Sequence, residues 1–245
     1  MSKAKEKIVI ALDFDSIDKS IETIDQLSPY VDIFKIGLQL FCSEGLKVIE
    51  LLTNYNKKIF FDCKLHDIPN TVAKASEALV NHGITFFNVH ALGGYQMMND
   101  CVQAANKAAE SKGLNPPIVL GVTLLTSINQ VTLTNDLDIN YDINDYVIRL
   151  AKLAQKAGLS GVVASALEAK KIKEHCGEKF IVLAPGIRPV WATSYDQKRI
   201  VTPNDAIKAG CDYMVIGRPV THSNNQVEAM KLIIDEINES MKEVY

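Results

Sequence analysis

The stretch IVIALDFDSIDKSIETIDQLSPYVDIFKIG, residues 8–37, contains two short apolar runs separated by an amphipathic segment. The runs, IVIALD (8–13) and VDIFKIG (31–37), are rich in β-branched residues, as buried parallel strands are. The segment between them is long enough to form the crossover helix that two parallel strands require. Residues 8–37 therefore predict a strand–helix–strand unit.

The same alternation continues to the carboxyl end of the chain. Six further apolar runs are separated by segments with helical patterning: IFFDCKL (59–65), ITFFNVH (84–90), PIVLGVTL (117–124), GVVAS (161–165), FIVLAP (180–185) and YMVIGR (213–218). Eight strands alternating with about eight helices predict a single (β/α)8 barrel over residues 1–245, since this fold typically takes about 250 residues. A doubly wound open sheet is the alternative architecture.

The ends of several helices can be predicted as well. Ser165 and Glu168 have the spacing of a capping box, and Thr202 is followed by Pro203 at the first helical position. Helices often end in a left-handed residue, and glycine follows four helical segments, at Gly83, Gly113, Gly158 and Gly210.

Composition and charge limit the possible partners. The 245 residues carry a formal net charge of -3, with 47% hydrophobic and 22% charged residues, so we expect neither nucleic acid nor a membrane as partner. The five cysteines are scattered without a C-x-x-C pair, which predicts a reducing compartment rather than disulfides or zinc. The apolar part of the opening MSKAKEKIVIALD is too short for a signal peptide or a membrane span, so we expect a cytoplasmic protein.

The segment DCKLHDIPNT (62–71) carries the strongest chemical signal. Side chains alternate along a strand, so Asp62 and Lys64 point to one side and Cys63 to the other. Burying charges at the end of an apolar strand is costly unless they are paired. Asp67 follows at the turn into the next helix. A structural ion pair, with Asp67 capping that helix, is the alternative to a functional site.

Lys35 and Asp13 favour the functional interpretation. Lys35 shares the parity of Val31 and Ile33, which predicts a lysine on a core-facing side of its strand, where it needs carboxylates nearby. Asp13 ends the first strand in the same way. The charges at the ends of the first three strands should therefore converge at one mouth of the barrel: Asp13, Lys35, Asp62 and Lys64, joined by Asp67.

Glycine and arginine follow the last two predicted strands, in PGIR (185–188) and IGRP (216–219). In this fold the loops after strands seven and eight commonly bind phosphate. Arg188 and Arg218 offer donors matched to phosphate oxygens, glycine lets backbone N–H groups approach an anion, and Gln197 can add a neutral donor. The alternative is that both arginines are surface residues in salt bridges.

Two long connections, residues 126–142 and 186–201, follow strand ends, and loops of that length are usually functional. No metal site is predicted, because the histidines show neither H-x-H nor H-x-x-x-H spacing: His66, His82, His90, His175 and His222.

These motifs together resemble the orotidine 5′-phosphate decarboxylases of the compact bacterial type. The D-x-K-x-x-D-I-P-x-T signature (62–71) carries the resemblance, and it extends over essentially the whole chain through LDF around Asp13, FKIG around Lys35, VHALGG (89–94), APGIRP (184–189), DQKR (196–199) and IGRP (216–219). The resemblance implies decarboxylation of orotidine 5′-phosphate to uridine 5′-phosphate in pyrimidine biosynthesis, without metal or organic cofactor. Cys63 departs from the pattern, where an aliphatic residue is expected.

The resemblance also implies roles for individual residues. Lys64 would donate the proton, Asp62 would lie beside the departing carboxylate, and Lys35 and Asp13 would hold the ribose hydroxyls. Asp67 would complete the catalytic set from the neighbouring subunit of a homodimer with shared active sites.

Further residues would bind the substrate. Ile68 and Thr71 would do so beside Asp67, with Thr71 reaching into the neighbouring site. Thr126 would contact the pyrimidine, with Ser127 as the alternative. The phosphate would be held by Arg188, Gln197, Gly217 and Arg218.

Two rival functions remain. Sugar-phosphate decarboxylases or aldolases share D-x-K-x-x-D but use magnesium. In those proteins a carboxylate occupies the position that corresponds to Lys35 and binds the metal. Lysine at this position argues against that function, because its ammonium group would repel magnesium. A catalytically silent nucleotide-binding barrel would keep the arginines but could dispense with the charges at 35, 62, 64 and 67.

Overall fold

The structure, a computed structural model, describes residues 3–192 and 201–244. Its strands are β1 (Ile8–Leu12), β2 (Ile33–Gly37), β3 (Lys58–Leu65), β4 (Phe86–His90), β5 (Ile118–Val122), β6 (Gly161–Val163), β7 (Ile181–Ala184) and β8 (Tyr213–Ile216). They pair in parallel in chain order, and β8 also pairs with β1, so the sheet closes. The predicted (β/α)8 barrel is confirmed, and the open-sheet alternative is wrong.

Helices surround this barrel. The described α-helices are α1 (Ile17–Leu27), α2 (Leu38–Glu44), α3 (Lys47–Asn54), α4 (Pro69–Asn81), α5 (Gly94–Ser111), α6 (Ile143–Lys156), α7 (Ala166–Cys176), α8 (Pro203–Lys208), α9 (Arg218–Thr221) and α10 (Gln226–Val244). Short 3₁₀ segments span Lys3–Lys7, Ala91–Gly93 and Val190–Ala192, and one π-helical turn spans Thr132–Asp136. None of the helices within the described ranges is long and apolar enough to cross a membrane.

The predicted helix ends are confirmed. Ser165 and Glu168 form a capping box at the start of α7, and Thr202 forms another with Asp205 at the start of α8. Each box satisfies backbone donors that the first helical turn leaves unpaired. The glycines that were expected to end helices all have positive φ: Gly83, Gly113, Gly158 and Gly210.

Strand side chains alternate between two apolar layers. One layer fills the barrel interior and includes Ile33, Phe60 and Phe86, while the other lies between the barrel and the helices. Lys35 follows Ile33 on the inner face. Val31, which alternation would put on that face too, packs in the outer layer because β2 begins only at Ile33. The barrel interior is therefore apolar along most of the strands and becomes charged toward their carboxyl ends.

A buried ion pair joins α7 to the opposite, amino-terminal end of the barrel. Lys173 is 6% exposed, and its Nζ lies 2.7 Å from Asp212 Oδ2 while also donating to the carbonyl oxygens of Glu178 and Phe180. The same carboxylate oxygen accepts the backbone N–H of Val182 at 2.8 Å. All three protons of this ammonium group have acceptors, so removing Lys173 would leave the Asp212 carboxylate without its cation at the end of the barrel away from the charged mouth.

Candidate active site

A row of alternating charges crosses the carboxyl end of the barrel from β1 to β3. Lys35 Nζ lies 2.8 Å from Asp13 Oδ1 and 3.4 Å from Asp62 Oδ2. Lys64 Nζ lies 2.7 Å from Asp62 Oδ1. The side chains of Lys35 and Asp62 are only 8% and 14% exposed, so each needs the opposite charges beside it. The structure thus brings together the four charges at the carboxyl ends of the first three strands.

The regular pairing of β3 with β4 breaks where this row ends. Phe61 pairs with Phe87 and Leu65 with Val89, so residues 62–64 lie opposite Asn88 alone. Such bulges commonly redirect a side chain near an active site. Lys64 has a φ of 52°, a conformation that costs a non-glycine residue about 1–3 kcal/mol. The backbone of β3 is therefore strained at the lysine predicted to donate the proton.

Asn88 fills the space that the bulge leaves. Its side chain is fully buried inside the barrel, and its amide nitrogen donates to Asp62 Oδ1 at 2.7 Å. Its amide oxygen accepts the backbone N–H of Lys64 at 2.9 Å. Asp62 is therefore held by Lys64, Lys35 and Asn88 together, from three neighbouring strands.

Gly37, at the end of β2, leaves room for the ion pair beside it. A Cβ atom at this position would lie 2.7 Å from Lys35 Nζ and 3.1 Å from Asp13 Oδ1. A carbon atom cannot remain so close to an ammonium nitrogen, whose optimal contact distance is about 3.5–4.0 Å. Glycine at this position leaves the Lys35 ammonium group where it is, whereas any larger residue would push this flexible side chain aside.

The charged row forms one wall of a cavity of about 390 Å³. The segments after β7 and β8, which adjoin β1 in the closed sheet, line the same cavity and contribute Arg188, Gly217 and Arg218. Arg188 is only 9% exposed, and among the described residues neither arginine forms an ion pair with a carboxylate. The surface salt bridges considered as the alternative are therefore not found within these ranges, and both cations line the cavity, where an anion can reach them.

A second cavity, of about 670 Å³, lies next to the first and shares Pro185 and Gly186 with it as lining residues. Thr126 and Ser127 both line it, at the start of the long connection after β5. The first cavity thus carries the two arginines, and the neighbouring cavity carries the two hydroxyl groups. Geometry does not distinguish Thr126 from Ser127 as the polar contact.

The structure does not bring every predicted site residue to this cavity. Asp67, Ile68 and Thr71 are exposed at the start of α4, and the Asp67 carboxylate accepts the backbone N–H of Ile68 at 2.6 Å. Ile68 is 66% exposed, unusually high for an isoleucine. Asp67 is not the cap considered as the alternative, because Ile68 is the N-cap of α4 and no side chain caps it. Gln197 lies outside the described residues.

Two further side chains beside the row are electrostatically perturbed. Burial lowers the pKa of His90, and the nearby His66 and Lys64 lower it further, which keeps this imidazole neutral at pH 7. Burial and the neighbouring Asp62 raise the pKa of Cys63 to about 12, so its thiol stays protonated and is not a nucleophile. Within the part of the chain that the structure describes, no group of three or more His, Cys, Asp or Glu residues could hold a metal ion.

Comparison with known proteins identifies the family to which the chain that carries this site belongs. The sequence pattern of the orotidine 5′-phosphate decarboxylase / HUMPS family matches residues 6–233. The chain belongs to that family. Among its relatives, the orotidine 5′-phosphate decarboxylase of Geotalea daltonii is 46% identical over 235 residues, covering 96% of this chain and 97% of that protein. The enzyme of the same name from Heliobacterium modesticaldum is 39% identical over 239 residues, 98% of each chain.

Solved structures agree with this membership of the orotidine 5′-phosphate decarboxylase / HUMPS family. The crystal structure of orotidine 5′-phosphate decarboxylase from Lactobacillus acidophilus superimposes with a TM-score of 0.84 at 37% identity, covering 95% of this chain and 99% of that one. An uncharacterised protein from Geobacillus kaustophilus gives the same TM-score at 33% identity, over 94% and 99% of the two chains.

Sequence reasoning missed two residues in the site of this family member. Asn88 lies in FFNVH, and its parity with Phe86 already puts an amide on the inner face of an otherwise apolar strand. Gly37 ends FKIG, two residues after Lys35 and therefore on the same side of β2. Both signals were present in the sequence, but neither residue carries a charge, and their roles appear only once Lys35 is seen in its ion pair with Asp13 and Asn88 beside the bulge of β3.

Proposed function

We propose that this chain decarboxylates orotidine 5′-phosphate to uridine 5′-phosphate in pyrimidine biosynthesis, as a carboxy-lyase that needs neither metal nor organic cofactor. The observation that carries the proposal is the alternating row of Asp13, Lys35, Asp62 and Lys64, which lines one cavity together with two arginines. Family membership supports the reaction, and the row supplies groups suited to its chemistry.

The proposed proton donor is Lys64. Loss of CO2 from C6 of the pyrimidine leaves an unshared electron pair in the ring plane, where no enolate can delocalise it. A fixed ammonium group stabilises that developing charge and can then protonate the carbon. Asp62, 2.7 Å from Lys64 Nζ, orients the ammonium and would lie beside the departing carboxylate. Lys35 and Asp13 are proposed to bind the ribose hydroxyls.

Phosphate recognition is proposed for the segments after β7 and β8. Arg188, Arg218 and the backbone at Gly217 line the same cavity as the charged row, and Gln197 is proposed to join them. Binding energy at the phosphate, remote from the reacting carbon, can offset the cost of bringing the substrate carboxylate against Asp62. The pyrimidine is proposed to contact Thr126, with Ser127 as the alternative donor.

Metal independence is proposed from the position of Lys35. Its ammonium group lies between the carboxylates of Asp13 and Asp62, at 2.8 Å and 3.4 Å, where it already neutralises them. A divalent cation at that place would be repelled by the lysine. This arrangement disfavours the magnesium-dependent sugar-phosphate chemistry that the D-x-K-x-x-D pattern alone would allow.

An ultraviolet assay tests the reaction and the metal independence together. The purified chain should consume orotidine 5′-phosphate and release uridine 5′-phosphate at the same rate before and after dialysis against EDTA. Failure to consume orotidine 5′-phosphate would overturn the proposed function. Activity lost in EDTA and restored by magnesium would overturn only the metal independence.

We also propose a homodimer in which each subunit completes the site of the other. Asp67, Ile68 and Thr71 follow β3 and are exposed, and they are not among the residues that line the cavity of their own chain. A two-fold interface is isologous, so each subunit would lend Asp67 to its neighbour and borrow one in return. The exposed Ile68 is suited to such an interface, because large apolar side chains are enriched there.

Mixed dimers test this assembly. Lys64→Ala and Asp67→Ala, each nearly inactive alone, are unfolded together and refolded as a mixture. Random pairing makes about half of the dimers mixed, each with one intact site, so roughly a quarter of wild-type activity should return. A mixture no more active than its components would show that Asp67 serves its own subunit.

The enzyme is further proposed to act in the cytoplasm as one catalytic domain over residues 1–245. All five cysteines lie within the described ranges and are free thiols, which is typical of a reducing compartment. Small-molecule substrate and a second copy of the chain are the proposed partners, without nucleic acid or membrane.

A further inference from the structure

Asn88 is a polar residue in a place where polarity is costly. It stands in the middle of β4 among apolar neighbours, pairs in register with Leu120, and is fully buried. Asparagine is depleted in strands, and burying an amide without partners costs several kcal/mol. Both ends of this amide are, however, used. The contacts it makes must therefore account for its presence in the barrel interior.

Only one orientation of the Asn88 amide satisfies both of its partners. The backbone N–H of Lys64 can only donate, so it faces the amide oxygen, and the Asp62 carboxylate accepts from the amide nitrogen. One side chain thereby ties the bulged backbone of β3 to the carboxylate within the same bulge. No other described side chain makes both of these contacts.

We infer that Asn88 is a positioning residue that holds Lys64 and Asp62 in their working geometry. The inference rests on the proposed function and assigns Asn88 a role through these two residues rather than a contact with the reacting carbon. Lys64 occupies a strained backbone conformation, with φ at 52°, which persists only where surrounding contacts hold it. The hydrogen bond from its N–H to Asn88 is such a contact.

The neutrality of the Asn88 side chain matters as much as its geometry. Asp62 already faces two ammonium groups, from Lys35 and Lys64. A third cation would hold the carboxylate equally well but would compete with Lys64 for it. A neutral donor fixes the carboxylate oxygen without altering the balance of charge at the site. An asparagine amide provides such a donor together with an acceptor for the backbone.

Two substitutions separate positioning from simple packing. Asn88→Leu keeps the branched shape but removes both hydrogen bonds, and Asn88→Asp keeps an acceptor for the Lys64 N–H. Because a hydrogen bond to a charged group is typically worth 1.5–3 kcal/mol, kcat of Asn88→Leu should fall by about 10–100-fold. KM should change by less than about threefold, since the arginines that hold the phosphate are untouched.

Asn88→Asp supplies a readout that packing alone cannot mimic. At low pH the introduced carboxyl group is protonated and can donate to Asp62 as the amide does. As the pH rises it ionises and repels Asp62, so the activity of the variant relative to wild type should fall steadily. The other titratable groups around this position are Lys64 from β3, Lys35 from β2 and His90 from β4 itself, while β5 contributes the apolar Leu120.

Ser76→Ala is the matched control. Ser76 is also fully buried and its hydroxyl donates to the Val72 carbonyl oxygen at 2.7 Å, but it lies on α4 outside the barrel. This variant should lose thermal stability and keep the wild-type kcat and pH profile. All four proteins are compared by circular dichroism, thermal unfolding and steady-state kinetics between pH 5 and 9.

The outcomes distinguish this inference from the proposed function. If wild type does not consume orotidine 5′-phosphate, the proposed function fails. If wild type is active and folded Asn88→Leu keeps kcat within about threefold, the positioning role is refuted. Should Asn88→Leu not fold, Asn88→Asp decides: a relative activity that is independent of pH refutes the role, and a decline with rising pH supports it.

Discussion

Replacing Gly37 with alanine introduces one methyl group beside the ion pair of Lys35 and Asp13. The new Cβ atom would lie 2.7 Å from Lys35 Nζ, whereas the optimal contact distance is about 3.5–4.0 Å, so the ammonium must retreat by about 1 Å. The Lys35 side chain is flexible and can move. Its ammonium group then leaves the position between Asp13 and Asp62, at 2.8 Å and 3.4 Å.

The displacement should reduce activity far more than stability. A misplacement of about 1 Å in an active site can cost about 10²-fold, so we expect kcat/KM of Gly37→Ala to fall by about 10–100-fold. The backbone at Gly37 has a φ of −95°, which alanine adopts without strain, so the free energy of unfolding should change by less than about 1 kcal/mol. The ultraviolet assay and thermal unfolding measure the two quantities separately.

Gly121→Ala is the matched control on β5. There the added Cβ would lie 3.1 Å from Ala154 Cβ and Leu159 Cδ2, both apolar atoms outside the barrel. Gly121→Ala should therefore lower the melting temperature and keep kcat/KM. If Gly37→Ala retains kcat/KM within about threefold of wild type, crowding of Lys35 does not matter for catalysis and the assigned role of Gly37 is wrong.

Three further predictions concern other parts of the molecule. Lys64→Ala should remain folded and lose more than the about 10²–10³-fold in rate that a single oxyanion-hole donor costs, and activity within tenfold of wild type would contradict its role as proton donor. Arg218→Ala should raise KM and also lower kcat, and unphosphorylated orotidine should be a very poor substrate; equal turnover of orotidine and its phosphate would refute phosphate-driven catalysis. Lys173→Met should destabilise the fold by about 2–3 kcal/mol in urea titrations, because Asp212 is left without its cation, while kcat stays unchanged. A drop in kcat at full folding would show that the two ends of the barrel are coupled.

The barrel could be predicted from sequence because its determinants are local. Each apolar run overlaps one strand of the barrel, and the bounds of run and strand differ by a few residues at most. The capping boxes at Ser165 and Thr202 are present where their spacing predicts them. Alternation along a strand also sufficed to put Lys35 and Asp62 on the inner face. These features depend on residues close together in the chain.

The remaining features depend on contacts between strands. The bulge in β3 arises from its register against β4, and nothing in DCKL alone indicates that Lys64 has a positive φ. The function of Asn88 is visible only when β4 lies beside that bulge. Asp67, which the sequence groups with the charges of the barrel mouth, is exposed at the turn before α4 and does not line the cavity of its own chain, so its role stays a prediction.

The strained backbone at Lys64 sets a limit on how heat-resistant this barrel can become while it remains an enzyme. Glycine or asparagine suits a left-handed conformation far better than lysine does. A library of variants selected only for folding at high temperature should therefore accumulate glycine at position 64. Such variants should have a higher melting temperature and no decarboxylase activity. Selection for growth without external uracil should restore lysine at position 64, together with the loss of stability that its backbone conformation causes.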